Sequence, residues 1–202
     1  MTDALRFASF WNWFRVNEAA LREAYDEGEV ERLDALISGR VGALASGIGW
    51  EMGPYSLPDH GFVISPGKRE RIEICRAIVD AAPKLPGWRF FAGKPAKDLL
   101  SLTIEVDGIE VCADNWHYKL TSHRGGEFVD LEIFYEAADA PPPEKEGIAC
   151  ELLVESLLGE LTSMERVGYI DFSCVGQISE VERSTELRFL RRHLDDALAP
   201  IH

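Results

Sequence analysis

Apolar side chains recur at helical spacing through the first part of the chain. One stripe follows three- and four-residue steps or their multiples and comprises Phe7, Phe10, Phe14, Leu21 and Ala24. A second stripe of the same period comprises Val30, Leu33, Ile37, Val41 and Leu44. Because Asp26, Glu27 and Gly28 interrupt the pattern between them, we predict a helical hairpin or one kinked helix over residues 1–45.

From residue 46 the apolar period changes to two, which is typical of strands. Segments 48–52 and 61–65 are predicted strands, and the turn-rich segment 53–60 between them is a predicted loop. Ser65 is the expected N-cap of the next helix, with Pro66 at its first position. That helix ends before Pro83, and a strand over 88–91 completes a first α/β half, residues 46–100.

Two hairpins are predicted next, one at the Asp-Gly pair 107–108 and one at the Gly-Gly pair 125–126. The first is the stronger signal, because Asp-Gly suits a two-residue turn with positive backbone φ angles. The expected cross-strand pairs are Val106 with Ile109, Ile104 with Val111, Leu120 with Leu131 and Tyr118 with Ile133.

The two hairpins share one apolar core only if the chain changes direction between them. Val111 and Trp116 are an odd number of residues apart, so in a regular strand they would face opposite sides. We therefore predict a bulge or a bend at residues 113–115, and bulges are common beside functional sites.

The rest of the chain repeats an earlier order of elements. A proline-stiffened linker over 137–145 precedes a helix that stops near Gly159, a strand over 167–175 and a leucine-striped C-terminal helix. Strand, helix, strand thus occurs twice, over 61–91 and 127–175. This order predicts an α+β fold in which an antiparallel sheet of about seven strands forms two similar halves, ferredoxin-like in arrangement, with covering helices.

We expect a single domain over residues 1–202. It comprises the N-terminal helical hairpin (1–45), the first α/β half (46–100), an acidic second α/β half (101–180) and the C-terminal helix (181–202). Hydrophobic residues make up 46% of the chain, which is ample for a packed core. No apolar run approaches the roughly 18 residues of a membrane span, and we expect no signal peptide and no membrane association. Four widely spaced cysteines favour a reducing, cytoplasmic location.

Charge is distributed unevenly along the chain. The net charge is −14, and residues 102–202 carry 8 Lys and Arg against 21 Asp and Glu. A phosphate backbone would be repelled by this half, so we expect no nucleic-acid partner and favour a basic protein partner. Residues 68–97 hold eight basic side chains. This basic stretch could pair with the acidic half of a second copy, and we also expect a homodimer; the alternative is that the two charged surfaces pair within one chain.

The strongest chemical candidates lie on the two predicted hairpins: Asp114, His117, His123, Asp130 and Glu132. His117 and Glu132 are expected on one face of the sheet, with Asp114 at the bend. A carboxylate near an imidazole can perform acid/base chemistry, and Asp114 with Glu132 could hold a hard cation. Such alternation is more often just the solvated face of an antiparallel sheet, so we assign no metal and no cofactor.

No common catalytic motif is complete. Ser65 and Lys68 have the spacing of penicillin-binding enzymes without the accompanying motifs, and capping explains Ser65. The segment 61–68 departs from the phosphate-loop pattern. A reactive thiol is not expected at Cys112, because neighbouring carboxylates raise the pKa of a thiol.

We therefore predict a non-enzymatic binding or regulatory protein, of inhibitor or immunity type. Its acidic surface would bind a basic protein partner, and the candidate partner-binding residues are Trp13, Asp130, Glu132, Glu136 and Asp139. The alternative is a small-molecule or metal-binding enzyme whose site lies near Asp114, His117 and Glu132.

Four stretches of the first half carry a resemblance to a known group. They are Phe10-Trp11-Asn12-Trp13-Phe14, Gly49-Trp50-Glu51, Ile64-Ser65-Pro66-Gly67 and the segment 82–90, which reads Ala-Pro-Lys-Leu-Pro-Gly-Trp-Arg-Phe. The chain here resembles a family of bacterial proteins defined as a domain of unknown function, whose genes sometimes lie near regulatory or toxin and immunity genes. The resemblance implies no catalytic residues and agrees with an inhibitor or immunity role.

Overall fold

The computed structural model describes residues 2–56, 59–98 and 101–198. The chain divides into two compact units, Met1–Lys94 and Pro95–His202, called here the N-terminal unit and the C-terminal unit. The boundary lies close to the predicted junction between the two α/β halves, while the single-domain assignment stays a prediction. In the described part of the chain, none of the helices is long and apolar enough to cross a bilayer.

The N-terminal unit packs three helices on one face of a three-stranded sheet. Its elements are α1 (Asp3–Asp26), α2 (Val30–Gly42), β1 (Gly49–Ser56), β2 (Asp59–Ser65), α3 (Ile72–Asp80) and β3 (Trp88–Ala92), and the strand order is β1-β2-β3. Phe14 of α1 contacts the rings of Phe62 and Phe90, which are paired across β2 and β3. Trp11 also donates a hydrogen bond from Nε1 to the carbonyl oxygen of Ile78 in α3, at 2.6 Å.

The predicted helical hairpin over the first 45 residues is confirmed, whereas two local predictions in this unit are wrong. The helix after Ser65 begins as a 3-10 turn at Arg69–Arg71, because Gly67 adopts φ +63° and interrupts any helix begun at Pro66. The predicted loop 53–60 is strand over its described residues. Pro54 is tolerated there because β1 lies at the sheet edge. Residues 57 and 58 lie outside the described residues.

The C-terminal unit contains a two-stranded sheet, a four-stranded sheet and three helices among its described residues. Its elements are β4 (Thr103–Val106), β5 (Ile109–Cys112), β6 (His117–His123), β7 (Phe128–Glu136), α4 (Glu146–Leu158), α5 (Glu160–Arg166), β8 (Val167–Val175), β9 (Thr185–Glu186) and α6 (Leu190–Ala197). The larger sheet has the order β8-β7-β6-β9. The four cross-strand pairs expected of the two hairpins are confirmed.

The chain bends where the parity of Val111 and Trp116 required it. Residues 113–116 form a tight turn in which the Trp116 N–H donates to the Ala113 carbonyl oxygen at 3.0 Å. Both Val111 and Trp116 are buried in one apolar core. The turn also separates the β4–β5 hairpin from the four-stranded sheet. With the sheet of the N-terminal unit, the described residues therefore form three sheets where the sequence predicted one.

The α+β class, the N-terminal helical pair and the C-terminal helix are confirmed. The sheets are mixed rather than wholly antiparallel, because β2 pairs with β3 and β7 pairs with β8 in parallel. Each parallel pair encloses one of the predicted strand–helix–strand segments. A helix that crosses one sheet face returns the chain to the starting edge of the sheet, so the next strand runs parallel to the first.

Alternate residues of β7 divide the four-stranded sheet into two different faces. Val129, Leu131, Ile133 and Tyr135 face the core with the helices. Asp130, Glu132 and Phe134 point to the opposite side, which we call the outer face. Asp171 of β8 pairs with Glu132 and therefore shares this outer face.

Candidate functional site

A cleft of about 450 Å³ opens at the end of the four-stranded sheet where β7 ends and β6 begins. It is lined by Asp114, Asn115, His117, Glu136, Asp139, Ile178, Glu186 and Arg188. The cleft brings together two sets of residues that the sequence analysis kept apart. Asp114 and His117 were candidates for catalysis, and Glu136 and Asp139 were candidates for partner binding.

Three connecting segments build the walls of the cleft. They are the 113–116 turn, the 3-10 turn Ala137–Asp139 and the connection from β8 to β9. Because β8 and β9 occupy opposite edges of the sheet, this connection crosses the sheet end. The Ile178 N–H donates to Glu136 Oε1 at 2.8 Å and holds the crossing segment against β7.

The Asp114 carboxylate accepts hydrogen bonds that hold one wall of the cleft together. Its Oδ1 accepts the Leu102 N–H at 2.8 Å, and its Oδ2 accepts the Ser101 hydroxyl at 3.1 Å. These contacts tie the start of β4 to the end of β5. The Leu102 N–H above all, with the Ser101 hydroxyl, holds the pKa of Asp114 below its usual value. Asp114 is therefore an ionised acceptor and is unsuited to donate a proton at neutral pH.

His117 is half-buried at the first position of β6. Its Nδ1 lies 3.1 Å from the Ser184 hydroxyl, on the segment before β9. On β7 its partner is Phe134, while Glu132 pairs with Lys119. Glu132 thus lies on the same face two positions away and does not line the cleft. On β9 the partner of His117 is Glu186, which does line the cleft.

Carboxylates dominate the electrostatics of the cleft. Asp114, Glu136, Asp139 and Glu186 are countered only by Arg188 and the titratable His117 among the lining residues. Arg188 Nε lies 2.8 Å from Glu186 Oε2. Among the residues that the structure describes, no group of three or more His, Cys, Asp or Glu side chains could hold a metal ion. The arrangement suits an organic cation, such as a guanidinium or an ammonium group.

The remaining predicted partner residues are not among the residues that line the cleft. Asp130 is half-buried on the outer face, with its Oδ2 2.8 Å from His123 Nε2. Glu132 is exposed on the same face. Trp13 belongs to the N-terminal unit, where the guanidinium of Arg40 lies 4.3 Å from its ring centroid. Within the C-terminal unit the structure therefore groups Glu136 with Asp139.

Sequence reasoning missed Glu186 and Arg188. They follow a long connection and lie on a two-residue strand and a 3-10 turn, neither of which has a periodic signature. Arg188 Nη2 donates to the Asp114 carbonyl oxygen at 3.1 Å and so joins this segment to the turn. The only signal in the sequence is that these two charged residues flank Leu187, at the start of the leucine stripe.

We expect Asp114→Ala to lower the free energy of unfolding by about 1–3 kcal/mol at pH 7, because the buried Leu102 N–H loses its acceptor. The folded-state pKa of Asp114 is lowered, so its ionic contribution is complete above the unfolded value of about 4. That contribution disappears as the pH falls through the folded pKa. Urea unfolding at pH 7 and near pH 3 measures the difference.

The matched control for Asp114 is Glu110→Gln. Glu110 is exposed on β5 and pairs directly with Glu105, so its neutralisation removes a like-charge contact. We expect this control to be neutral or slightly stabilising. A loss of stability from Glu110→Gln as large as that from Asp114→Ala would contradict the structural role of Asp114.

The comparisons with protein-family models, with curated proteins and with solved structures find no match. The resemblance of the first half to a bacterial domain family stays a prediction.

Proposed function

We propose that this chain is a non-enzymatic binding protein of inhibitor or immunity type. The acidic surface of its C-terminal unit holds a basic segment of a protein partner, and a cationic side chain of that partner enters the cleft. The observation that carries the proposal is the lining of the cleft, where four carboxylates face one arginine and one histidine. The C-terminal unit as a whole has 9 Lys and Arg against 22 Asp and Glu.

Two of the four carboxylates are available to a partner. Asp114 and Glu136 already accept hydrogen bonds from main-chain N–H groups. Asp139 and Glu186 instead contact the polar ends of side chains, namely the Asn115 amide at 3.3 Å and the Arg188 guanidinium. A partner arginine can displace such contacts and form a bidentate pair with either carboxylate.

The enzyme alternative has less support from the same geometry. Acid/base catalysis by His117 would need a partner that orients its ring, and the contact of its Nδ1 is the Ser184 hydroxyl rather than a carboxylate. Glu132, the expected partner, lies outside the cleft lining. Asp114 is held ionised by its main-chain hydrogen bond.

We propose the cytoplasm as the site of action. All four cysteines are free, and Cys75 and Cys150 are buried as thiols. Burial raises the pKa of Cys150 to about 12, which keeps that thiol protonated and unreactive. Self-association through the basic stretch 68–97 would compete for the same acidic surface, and the homodimer stays a prediction.

The proposal is tested by titrating the full chain with an arginine-rich peptide and with a neutral peptide of the same length. We expect only the basic peptide to bind. Its affinity should fall steeply as the ionic strength rises from about 0.01 to 0.15 M, since the screening length then shortens from about 30 to 8 Å.

The site is tested by neutralising Asp139 and Glu186 together, as Asp139→Asn with Glu186→Gln. Close charge pairs across interfaces couple by about 1.5 kcal/mol or more, so we expect at least about a tenfold loss of affinity. The matched control neutralises the exposed pair Glu105 and Glu110 on the β4–β5 hairpin. Equal losses in the two double variants would show that net charge, and not the cleft, determines binding.

A further inference from the structure

The strand β8 forms one edge of the four-stranded sheet. It pairs with β7 over nearly its whole length, and no described strand pairs with its other side. Its exposed residues are Gly168, Tyr169, Asp171, Ser173 and Cys174. The main-chain N–H and C=O groups that do not pair with β7 therefore face no described strand, although the Phe172 N–H already donates to Asp171 Oδ1 at 3.0 Å.

β8 has few of the features by which proteins usually protect such an edge: a register shift at Gly168 interrupts its pairing with β7 near the start, and the strand is regular from Tyr169 onward. Its nine residues, Val-Gly-Tyr-Ile-Asp-Phe-Ser-Cys-Val, include no lysine and no proline and carry a single charge, at Asp171. Five of them are valine, isoleucine, tyrosine or phenylalanine, which favour extended structure. An edge of this length and composition is suited to strand addition.

A groove of about 370 Å³ runs beside the beginning of this edge. Glu151 and Glu155 of α4 line one side, and residues 167–170 of β8 line the other. A strand added to β8 would direct alternate side chains to opposite faces. One set would follow the outer face past Tyr169 and Asp171, and the other would follow the side of the sheet on which α4 lies.

Charge selects the kind of strand that can be added. On the outer face Asp171 lies beside Glu132. Lys119, the cross-strand neighbour of Glu132 on its other side, places its ammonium 5.2 Å from the centroid of the Phe134 ring rather than in an ion pair with Glu132, and the described residues show no ion pair of a Lys or Arg with Asp171. Tyr169 is 63% exposed, and an exposed aromatic ring can attract a cation. Pairing of β8 with β8 of a second copy would instead bring two units of net charge −13 together.

We propose that β8 binds an extended basic segment of a protein partner by strand addition, with arginine or lysine at every second position along Tyr169 and Asp171. This inference rests on the proposed function for the basic character of the partner, and it adds the backbone conformation and the residue spacing that are recognised. Main-chain hydrogen bonds supply affinity, and the alternating cations supply specificity.

The probe is a nine-residue peptide of alternating arginine and valine with blocked ends. Two derivatives are N-methylated, one at every arginine and the other at every valine. In an added strand, all residues of one set direct their N–H groups at β8 and all residues of the other set direct them away. Methylation of the first set removes several hydrogen bonds, and methylation of the second removes none.

We expect one methylated peptide to bind at least about tenfold more weakly than the parent, because several hydrogen bonds of about 0.5–1.5 kcal/mol each are lost. The other should bind within about twofold of the parent. The parent peptide should also slow hydrogen exchange of β8 main-chain amides. Asp171→Asn should weaken binding several-fold, whereas the exposed control Glu182→Gln should not.

The two proposals fail in different ways. If both methylated peptides bind as the parent does, the protein recognises basic charge without strand addition; the proposed function then stands and this inference is overturned. If neither the parent peptide nor any other basic peptide binds at low ionic strength, both are overturned.

Discussion

Replacing Phe14 by alanine is expected to lower the free energy of unfolding by about 3–5 kcal/mol. Phe14 is fully buried in α1. Its ring centroid lies 5.0 Å from that of Phe62, 4.9 Å from Trp88 and 5.3 Å from Phe90, all edge-on. Alanine would leave a cavity between α1 and the sheet and remove three aromatic contacts that favour this edge-on geometry. Urea unfolding followed by tryptophan fluorescence measures the loss.

Val16 provides the matched control on the same helix. It is 74% exposed, so Val16→Ala should change the free energy of unfolding by less than about 0.5 kcal/mol. A second variant, Phe14→Leu, should lose less than Phe14→Ala because it leaves a smaller cavity. If Phe14→Ala lowered the free energy of unfolding by less than about 1 kcal/mol, the result would contradict the described packing of α1 against β2 and β3.

Local sequence patterns were sufficient to predict those elements that depend on a single periodicity or a single turn. The stripe containing Phe7 and Phe14 lies entirely on α1, the first of the two helices predicted within residues 1–45. The Asp-Gly pair at 107–108 fixed the register of β4 with β5 because both residues adopt positive φ angles that few other pairs tolerate. Even there Ile109 is partly exposed, since a two-stranded sheet buries only part of its apolar face.

The pairing of strands that are distant in the sequence could not be predicted from local patterns. Parallel partners such as β7 and β8 are separated by two helices, and nothing in the alternation of either strand states the direction of the other. The start of α3 depended on the single backbone angle of Gly67, which outweighed the capping pattern at Ser65 and Pro66.

The candidate site shows the same division. The odd spacing of Val111 and Trp116 predicted a bend at residues 113–115. Asp114 in this bend and His117 shortly after it both line the cleft. The opposite wall comes from Glu186 and Arg188, which reach the cleft only because the β8 to β9 connection crosses the sheet end. Position in the topology, rather than any motif, brings these charges together.

Trp116 should be the most sensitive position of the C-terminal unit. It is fully buried, its ring centroid lies 4.6 Å from that of Tyr135, and its Nε1 donates to the Asp139 carbonyl oxygen at 3.2 Å. We expect Trp116→Ala to cost about 3–5 kcal/mol and to weaken binding of the basic peptide, because the 113–116 turn and the Ala137–Asp139 wall lose their common support. Circular dichroism with urea measures the stability, since Trp116 is the sole tryptophan of residues 95–202.

Two further variants separate packing from hydrogen bonding at this position. Trp116→Phe retains an aromatic ring and loses the donor, so it should be more stable than Trp116→Ala while leaving the Asp139 carbonyl unpaired. Tyr135→Phe should be neutral or stabilising, because the buried Tyr135 hydroxyl has no hydrogen-bond partner among the described residues. If Tyr135→Phe were as damaging as Trp116→Ala, the Tyr135 hydroxyl would have to form a stabilising contact, which contradicts its lack of a partner among the described residues.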